Sequence, residues 1–146
     1  MAGGFSDTAA RRQKIDFRSE AFPSRDVAVT RRPQPGLTTV AELRPARVVT
    51  HRGTSMDVLR AGKAQAGVLG LEVAMLARQR DPELQLGLFL GQPGSLAYGL
   101  RKGDTELKAA LDGYLLNLRR SPTWGRLVVK YFGGSALEIL KAARAQ

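Results

Sequence analysis

Ala66-Gly-Val-Leu69, Leu71-Glu-Val-Ala-Met-Leu-Ala-Arg-Gln-Arg80 and Leu84-Gln-Leu-Gly-Leu-Phe-Leu90 are the stretch on which the fold turns. The first is a short apolar run suited to a buried strand. The second has helical length and is closed by Asp81-Pro82, because proline lacks the N–H that a continuing helix needs. The third is again a strand. Gly91-Gln-Pro-Gly94 then reads as a turn, and Ser95-Leu-Ala-Tyr-Gly-Leu100 as one more strand. Upstream, Arg47-Val-Val-Thr-His51 is short and β-branched, and Ser55 is placed to cap a helix through Met56, Val58 and Leu59 to Gly62. Alternation of this kind predicts an α/β unit with a mostly parallel sheet.

The flanks differ in character. The first 36 residues are polar and read as irregular, with one short strand, Asp26-Val-Ala-Val-Thr30, between Pro23 and Pro33. Pro33-Gln-Pro-Gly36 is a turn or linker. Thr39-Val-Ala-Glu42 has the spacing of a capping box, in which the Thr hydroxyl and the Glu carboxylate each satisfy a free backbone amide. A short helix, about Thr39 to Leu43, follows and stops before Pro45. The last third is helical. Asp104 caps a helix with Leu107, Leu111, Tyr114, Leu115 and Leu118 on one face. Ser121-Pro122 opens the next, whose stripe is Trp124, Leu127, Val128, Tyr131 and Phe132, and Gly133-Gly134 ends it. A final short helix carries Ala136, Leu137, Ile139 and Leu140.

Composition removes several functions. The chain has 146 residues, enough for one domain or slightly more, and 43% hydrophobic residues exclude a wholly disordered chain. There is no cysteine and only one histidine, His51, so disulfides, thiolate or His-cluster metal sites and a cysteine nucleophile are excluded. No Gly-x-Ser-x-Gly elbow occurs, Gly94-Ser-Leu-Ala-Tyr98 having the wrong spacing, and the carboxylates are scattered. The expectation is no catalytic residue, no cofactor and no metal. No apolar run approaches the ~18 residues that span a bilayer. The N-terminus lacks a basic region followed by an apolar one, so the chain as written is expected to stay in the cytoplasm.

Net charge is +10. Arg11, Arg12, Lys14, Arg18, Arg25, Arg31 and Arg32 crowd the first quarter, an arrangement able to neutralise phosphates. No helix-turn-helix, zinc-finger or RNA-binding signature accompanies them, so nucleic acid is the weaker alternative partner. Arg52-Gly-Thr-Ser55, between a strand and a helix, offers amides, hydroxyls and a helix dipole to a carboxylate or phosphate. Spacing alone favours a plainer reading: Ser55, of a residue type common at caps, caps its helix and Gly53 relaxes the turn. It is not a Walker loop.

Taken in order, the residues resemble a known family. Thr8-Ala-Ala-Arg11 with Lys14-Ile-Asp-Phe17 is similar to a Thr-Pro-Glu-Arg…Val-Asp-Phe-Ser stretch of the extracellular solute-binding proteins of family 3, the polar amino-acid receptors of ABC transporters. Val27-Ala-Val29 resembles their hinge strand, Val40-Ala-Glu-Leu43 a following helix, and Val49 to Ser55 a Val-x-x-x-Gly-Thr-Ser loop. Leu59-Arg-Ala-Gly-Lys-Ala-Gln-Ala66, Gly94 to Asp104, Leu107-Lys-Ala-Ala-Leu111 and Trp124…Lys130-Tyr-Phe-Gly133 continue the match. No single motif is specific; the colinear set is.

The resemblance implies a two-lobed α/β clamp of the type II periplasmic-binding-protein kind, and a solute-binding component of an ABC transport system. Residues 1–25 would be a remnant of the first lobe and the hinge. Residues 26–100 would be the second lobe, and 101–146 the helices that in the family pack on the first lobe. Most of that lobe would be missing. The C-terminal helices would then fold onto the remaining sheet, self-associate, or stay loosely packed. A family strand and helix between the Gly-Thr-Ser helix and Leu59 are also absent. Implied partners are an amino acid or other small carboxylate solute and a permease, in the periplasm. Arg11 matches the arginine that pairs with the ligand carboxylate, Thr8 a nearby binding-loop position, and Gly53, Thr54 and Ser55 the second-lobe loop that meets the same carboxylate. The Asp that holds the ligand ammonium aligns with Gly70; Glu72 is a carboxylate two positions away. A non-functional receptor fragment is the remaining alternative.

Overall fold

The computed structural model describes residues 4–50, 59 and 61–145. Their strands are β1 (Gly4–Ser6), β2 (Asp16–Arg31), β3 (Val48–Val49), β4 (Ala66–Gly70) and β5 (Leu84–Leu100). The helices are α1 (Ala9–Arg12), α2 (Val40–Leu43), α3 (Leu71–Arg80), α4 (Thr105–Arg120), α5 (Pro122–Phe132) and α6 (Ala136–Arg144). The hydrogen-bonded strand order is β1-β5-β2-β4-β3. The chain forms two compact units, residues 25–92 and residues 1–24 with 93–146. Both long strands, β2 and β5, run from one unit into the other.

In the unit of residues 25–92, β2 pairs antiparallel with β4, Val27 opposite Leu69 and Val29 opposite Gly67. Strand β3 pairs parallel with β4 through Val48–Ala66 and Val49–Gly67. Val27, Ala28, Val29, Ala66, Leu71, Ala74, Met75 and Leu84 are buried and form the core. Helix α3 spans the residues expected of it, with Leu71, Ala74 and Met75 turned inward at helical spacing. The capping box at α2 is complete. Thr39 Oγ1 accepts from Glu42 N at 3.3 Å, and Glu42 Oε2 accepts from the amides of Thr39 and Thr38 at 3.0 and 2.8 Å. Gln85 fastens the following connection by donating to Gln34 O at 2.8 Å, and Leu88 N donates to Leu37 O at 2.8 Å.

In the other unit, β1 pairs antiparallel with the end of β5, Gly4 opposite Tyr98 and Ser6 opposite Leu96. The three C-terminal helices pack on the first half of β2. Phe22 stacks obliquely on Trp124 and Phe132, with ring centroids 5.9 and 5.0 Å apart. Ser19 N donates to Asp112 Oδ1 at 2.8 Å. Glu20 receives Arg119 at 3.3 Å and Arg144 closer still. Leu115, Val128, Ala136, Leu140 and Ala143 are buried.

Five expectations are corrected, the last of them in part. The N-terminal quarter is not irregular: it holds β1, α1 and a 16-residue β2 that passes through Pro23. Residues 84–100 are one strand rather than two, because Gly91 at φ +67° absorbs a local bend without ending it. The sheet is mixed, not mostly parallel. Strand β2 lies antiparallel to β4 and β1 antiparallel to β5, pairings with partners far along the chain that no local pattern announces, while β3 runs parallel to β4. Ser121 stands at the N-cap of α5, yet its hydroxyl donates to Leu118 O at 2.8 Å and closes α4 instead. The expected stripe of α4 holds only in part: Leu111, Leu115 and Leu118 turn inward. Asp112, Leu115 and Arg119 face β2, while Leu107 and Tyr114 are 45% and 63% exposed.

Candidate functional site

Thr8 is extended at φ −128°, ψ 150°, and its hydroxyl accepts from Arg11 N at 3.4 Å, so the threonine caps the single turn α1. The amides of Lys14 and Ile15 return to Arg11 O at 2.9 and 3.0 Å and close that turn. Arg11 is exposed on it. The adjacent Arg12 is committed: its Nε and Nη2 donate to the two Asp7 carboxylate oxygens at 2.6 and 2.7 Å, a bidentate pair. That hydrogen bond holds the Asp7 carboxyl below its ordinary range and raises the Arg12 guanidinium above its own. Asp7, Arg12, Ile15, Asp16, Phe17 and Lys108 line an open recess of about 320 Å³ that mixes both signs of charge. Thr8 and Arg11 are not among its lining residues.

In the unit of residues 25–92, Gly70 ends β4 and stands at the N-cap of α3, without a side chain to cap it. Glu72, in the first turn of α3, folds its carboxylate back over that glycine. A Cβ placed on Gly70 would lie 2.9 Å from Glu72 Oε1 and 3.2 Å from Oε2. Glu72 Oε2 is shielded from solvent and has no hydrogen-bond partner among the described residues. Two further hollows of about 150 Å³, one lined by Thr30, Gln34, Leu37 and Gln65 and the other by Arg31, Arg32 and Leu59, are small for a solute.

The predicted site residues fare unequally. Thr8 and Arg11 are brought together in one capped turn. Gly53, Thr54 and Ser55, together with His51, lie outside the described residues, so the choice between anion loop and helix cap at Ser55 stands as the sequence leaves it. Sequence reasoning did not single out Asp7, whose pairing with Arg12 follows from no helical spacing. Among the described residues no group of three or more His, Asp or Glu is placed to hold a metal, and no helix is long and apolar enough to cross a membrane.

Residues 1–134 match the family of bacterial extracellular solute-binding proteins, family 3. The chain belongs to this family. Solved structures resemble it along most of its length. One is a mutant of ArgBP from T. maritima, at 21% identity and TM-score 0.68, over 90% of this chain and 67% of that one. A second is the amino acid ABC transporter substrate-binding protein AbpA from Streptococcus pneumoniae bound to L-arginine, at 19% identity and TM-score 0.73, over 91% and 67%. A third is an ancestral cationic amino acid solute-binding protein, at 19% identity and TM-score 0.76, over 88% and 67%. At these identities the likeness establishes the family 3 fold. The chain spans about two thirds of the length of these three. No curated protein sequence matches it. Both the Thr8–Arg11 turn and residues 53–55 fall inside the matched span of this family 3 member.

Proposed function

We propose that this family 3 chain serves as a solute-binding component of an ABC-type transport system, taking an amino acid or another small carboxylate. The observation that carries the reading is the family match over residues 1–134, which includes both segments through which the resemblance assigns carboxylate binding. Arg11 is then the guanidinium that meets the solute carboxylate, its planar fork suited to two parallel hydrogen bonds. Thr8 holds the turn that presents it, and Gly53, Thr54 and Ser55 add amides and hydroxyls. In this assignment residues 1–25 belong to the first lobe and hinge, 26–100 to the second lobe, and 101–146 to the helices that pack on the first. The neighbours with bound arginine, AbpA and a second mutant of ArgBP, support an amino-acid solute. Titration calorimetry on the wild type and Arg11→Ala, with L-arginine and glutarate as probes, tests it. Binding is expected in the wild type and a loss of at least about tenfold in the variant, the worth of a charged hydrogen-bonded contact. Equal affinity in both proteins removes Arg11 from the site.

A further inference from the structure

The basic residues of the first quarter differ in their surroundings. Arg12 is closed into its pair with Asp7, and Arg11 is proposed to meet the solute. Arg31 ends β2, Arg32 follows it, and both line the hollow of about 150 Å³ in the unit of residues 25–92. Gln34, Leu59 and Gln65 share its wall, and no Asp or Glu is among the described lining residues. The recess at Arg12, by contrast, mixes both signs of charge. Toward a long polyanion the two arginines add only diffuse, salt-screened charge. Toward a small anion a concave wall matters, because it brings several donors to one point.

The wall is held in place by bonds that leave donors over. Arg31 Nε donates to Asp81 Oδ2 at 3.1 Å, which fixes that side chain and offsets its charge. The net positive charge of the wall is therefore that of Arg32. Its turn is set by the backbone, Arg32 N donating to Glu83 O and Gln34 N to Arg31 O, both at 3.0 Å. Among the described residues no ion pair or hydrogen bond holds the Arg32 guanidinium. Gln65 Oε1 accepts from Arg47 N at 2.9 Å, so what that side chain has left to offer is its amide N–H groups, which only donate. The size that makes the hollow small for a solute suits a tetrahedral ion, and a planar guanidinium matches two oxygens of such an ion at once.

We infer that this hollow holds a tetrahedral oxyanion, free phosphate or sulfate, against Arg32 and Gln65. The site is independent of the solute-binding reading. Titration calorimetry tests it with sodium phosphate and sodium sulfate as probes, and with chloride at the same ionic strength as the reference for diffuse attraction. The proteins are the wild type, Arg32→Gln, Gln65→Glu and Arg120→Gln. Gln65→Glu keeps an acceptor for Arg47 N and puts a negative charge where the amide stood. Arg120, exposed at the end of α4, carries the same charge in the other unit. Wild type and Arg120→Gln are expected to bind phosphate saturably and equally, and Arg32→Gln and Gln65→Glu to weaken that binding at least about tenfold. Arg32 is exposed, and its substitution leaves both backbone bonds of the turn intact, so this variant reads binding even where Gln65→Glu disturbs the fold. Methyl phosphate separates a free ion from an ester: weaker binding than phosphate is expected, and tighter binding overturns the free-ion assignment. Wild-type affinity in Arg32→Gln, an equal loss in Arg120→Gln, or no saturable binding of either probe beyond chloride overturns the site.

Discussion

A Cβ on Gly87 would stand 2.0 Å from the carbonyl oxygen of Leu37, closer than any real side chain approaches a backbone atom. The contact exists because β5 and the segment after the Pro33–Gly36 turn run against each other, Leu88 N donating to that same Leu37 oxygen at 2.8 Å. Only a residue without a side chain permits it. Gly87→Ala must push residues 37–38 off β5 and weaken the Gln85–Gln34 hydrogen bond beside them. The expected cost is about 1–3 kcal/mol or somewhat more, as for other overpacked sites. A denaturant midpoint unchanged from wild type would show that the two segments separate freely.

Phe22 anchors the other unit. Its ring meets Trp124 and Phe132 and ties β2 to α5. Phe22→Ala is expected to destabilise that unit by about 3 kcal/mol, the lower end for an aromatic truncated to alanine, because the ring is only partly buried. Trp124 is the one tryptophan, so its emission should shift to the red in the folded variant. Unaltered emission and melting would mean that α5 is held by other contacts.

These two sites mark where sequence reading succeeds and where it fails. The Thr39–Glu42 capping box, the Asp104 cap, α3 and α5 are legible because each is decided within one or two turns of chain. The first half of β2 is not. Ser19 and Glu20 are held by Asp112, Arg119 and Arg144, partners 93 to 124 residues away, and nothing local marks a polar stretch as a strand. Pro23 and Gly91-Gln-Pro-Gly94 read as breaks for the same reason; pairing across the sheet overrides them. At the candidate site, Thr8 and Arg11 are visible through the order of family-like motifs. The Glu72 carboxylate over Gly70 is not, since its position depends on how a side chain curls at a strand-to-helix junction.

Glu42 supplies a pH signature. Backbone hydrogen bonds from Thr38 and then Thr39 hold its carboxyl below the ordinary value of 4.5. A depressed folded-state pKa means the unfolded chain binds the proton more readily. The stabilisation is therefore present above about pH 4.5 and is lost as pH falls through the lower, folded value. Glu42→Gln keeps the shape and removes that dependence at α2. Stability measured between pH 3 and 6 should rise less steeply in the variant, and superimposable curves would show that the capping box does not persist in solution.

The surplus of basic residues should act as charge and nothing more. At +10 the chain will be retained by duplex DNA at low salt, with retention falling as the logarithm of salt concentration rises. Two unrelated duplex sequences should elute together at physiological ionic strength or below. Retention of one of them well beyond that point would favour a nucleic-acid partner over a small solute.

Arg11 and Arg12 are neighbours with different work. Arg12 closes a bidentate pair with Asp7 next to the Thr8 cap, and it is mostly exposed, so its pairing organises the approach to α1 more than it stabilises the fold. Arg11 lies exposed on the capped turn and is the guanidinium proposed to meet the solute carboxylate. Substituting each in turn separates positioning from contact. Arg12→Ala frees Asp7, whose carboxyl then returns toward its ordinary range, and should alter solute affinity only a few-fold, through a looser turn. Arg12→Lys keeps the charge but not the planar fork, and should fall between wild type and alanine. Arg11→Ala should cost at least about tenfold, and Arg11→Lys should recover only part, because an ammonium cannot make two parallel hydrogen bonds to one carboxylate. The measurement is calorimetric titration of all four variants with L-arginine and glutarate. A larger loss from Arg12→Ala than from Arg11→Ala would transfer the carboxylate contact to Arg12 and to the recess it lines with Lys108.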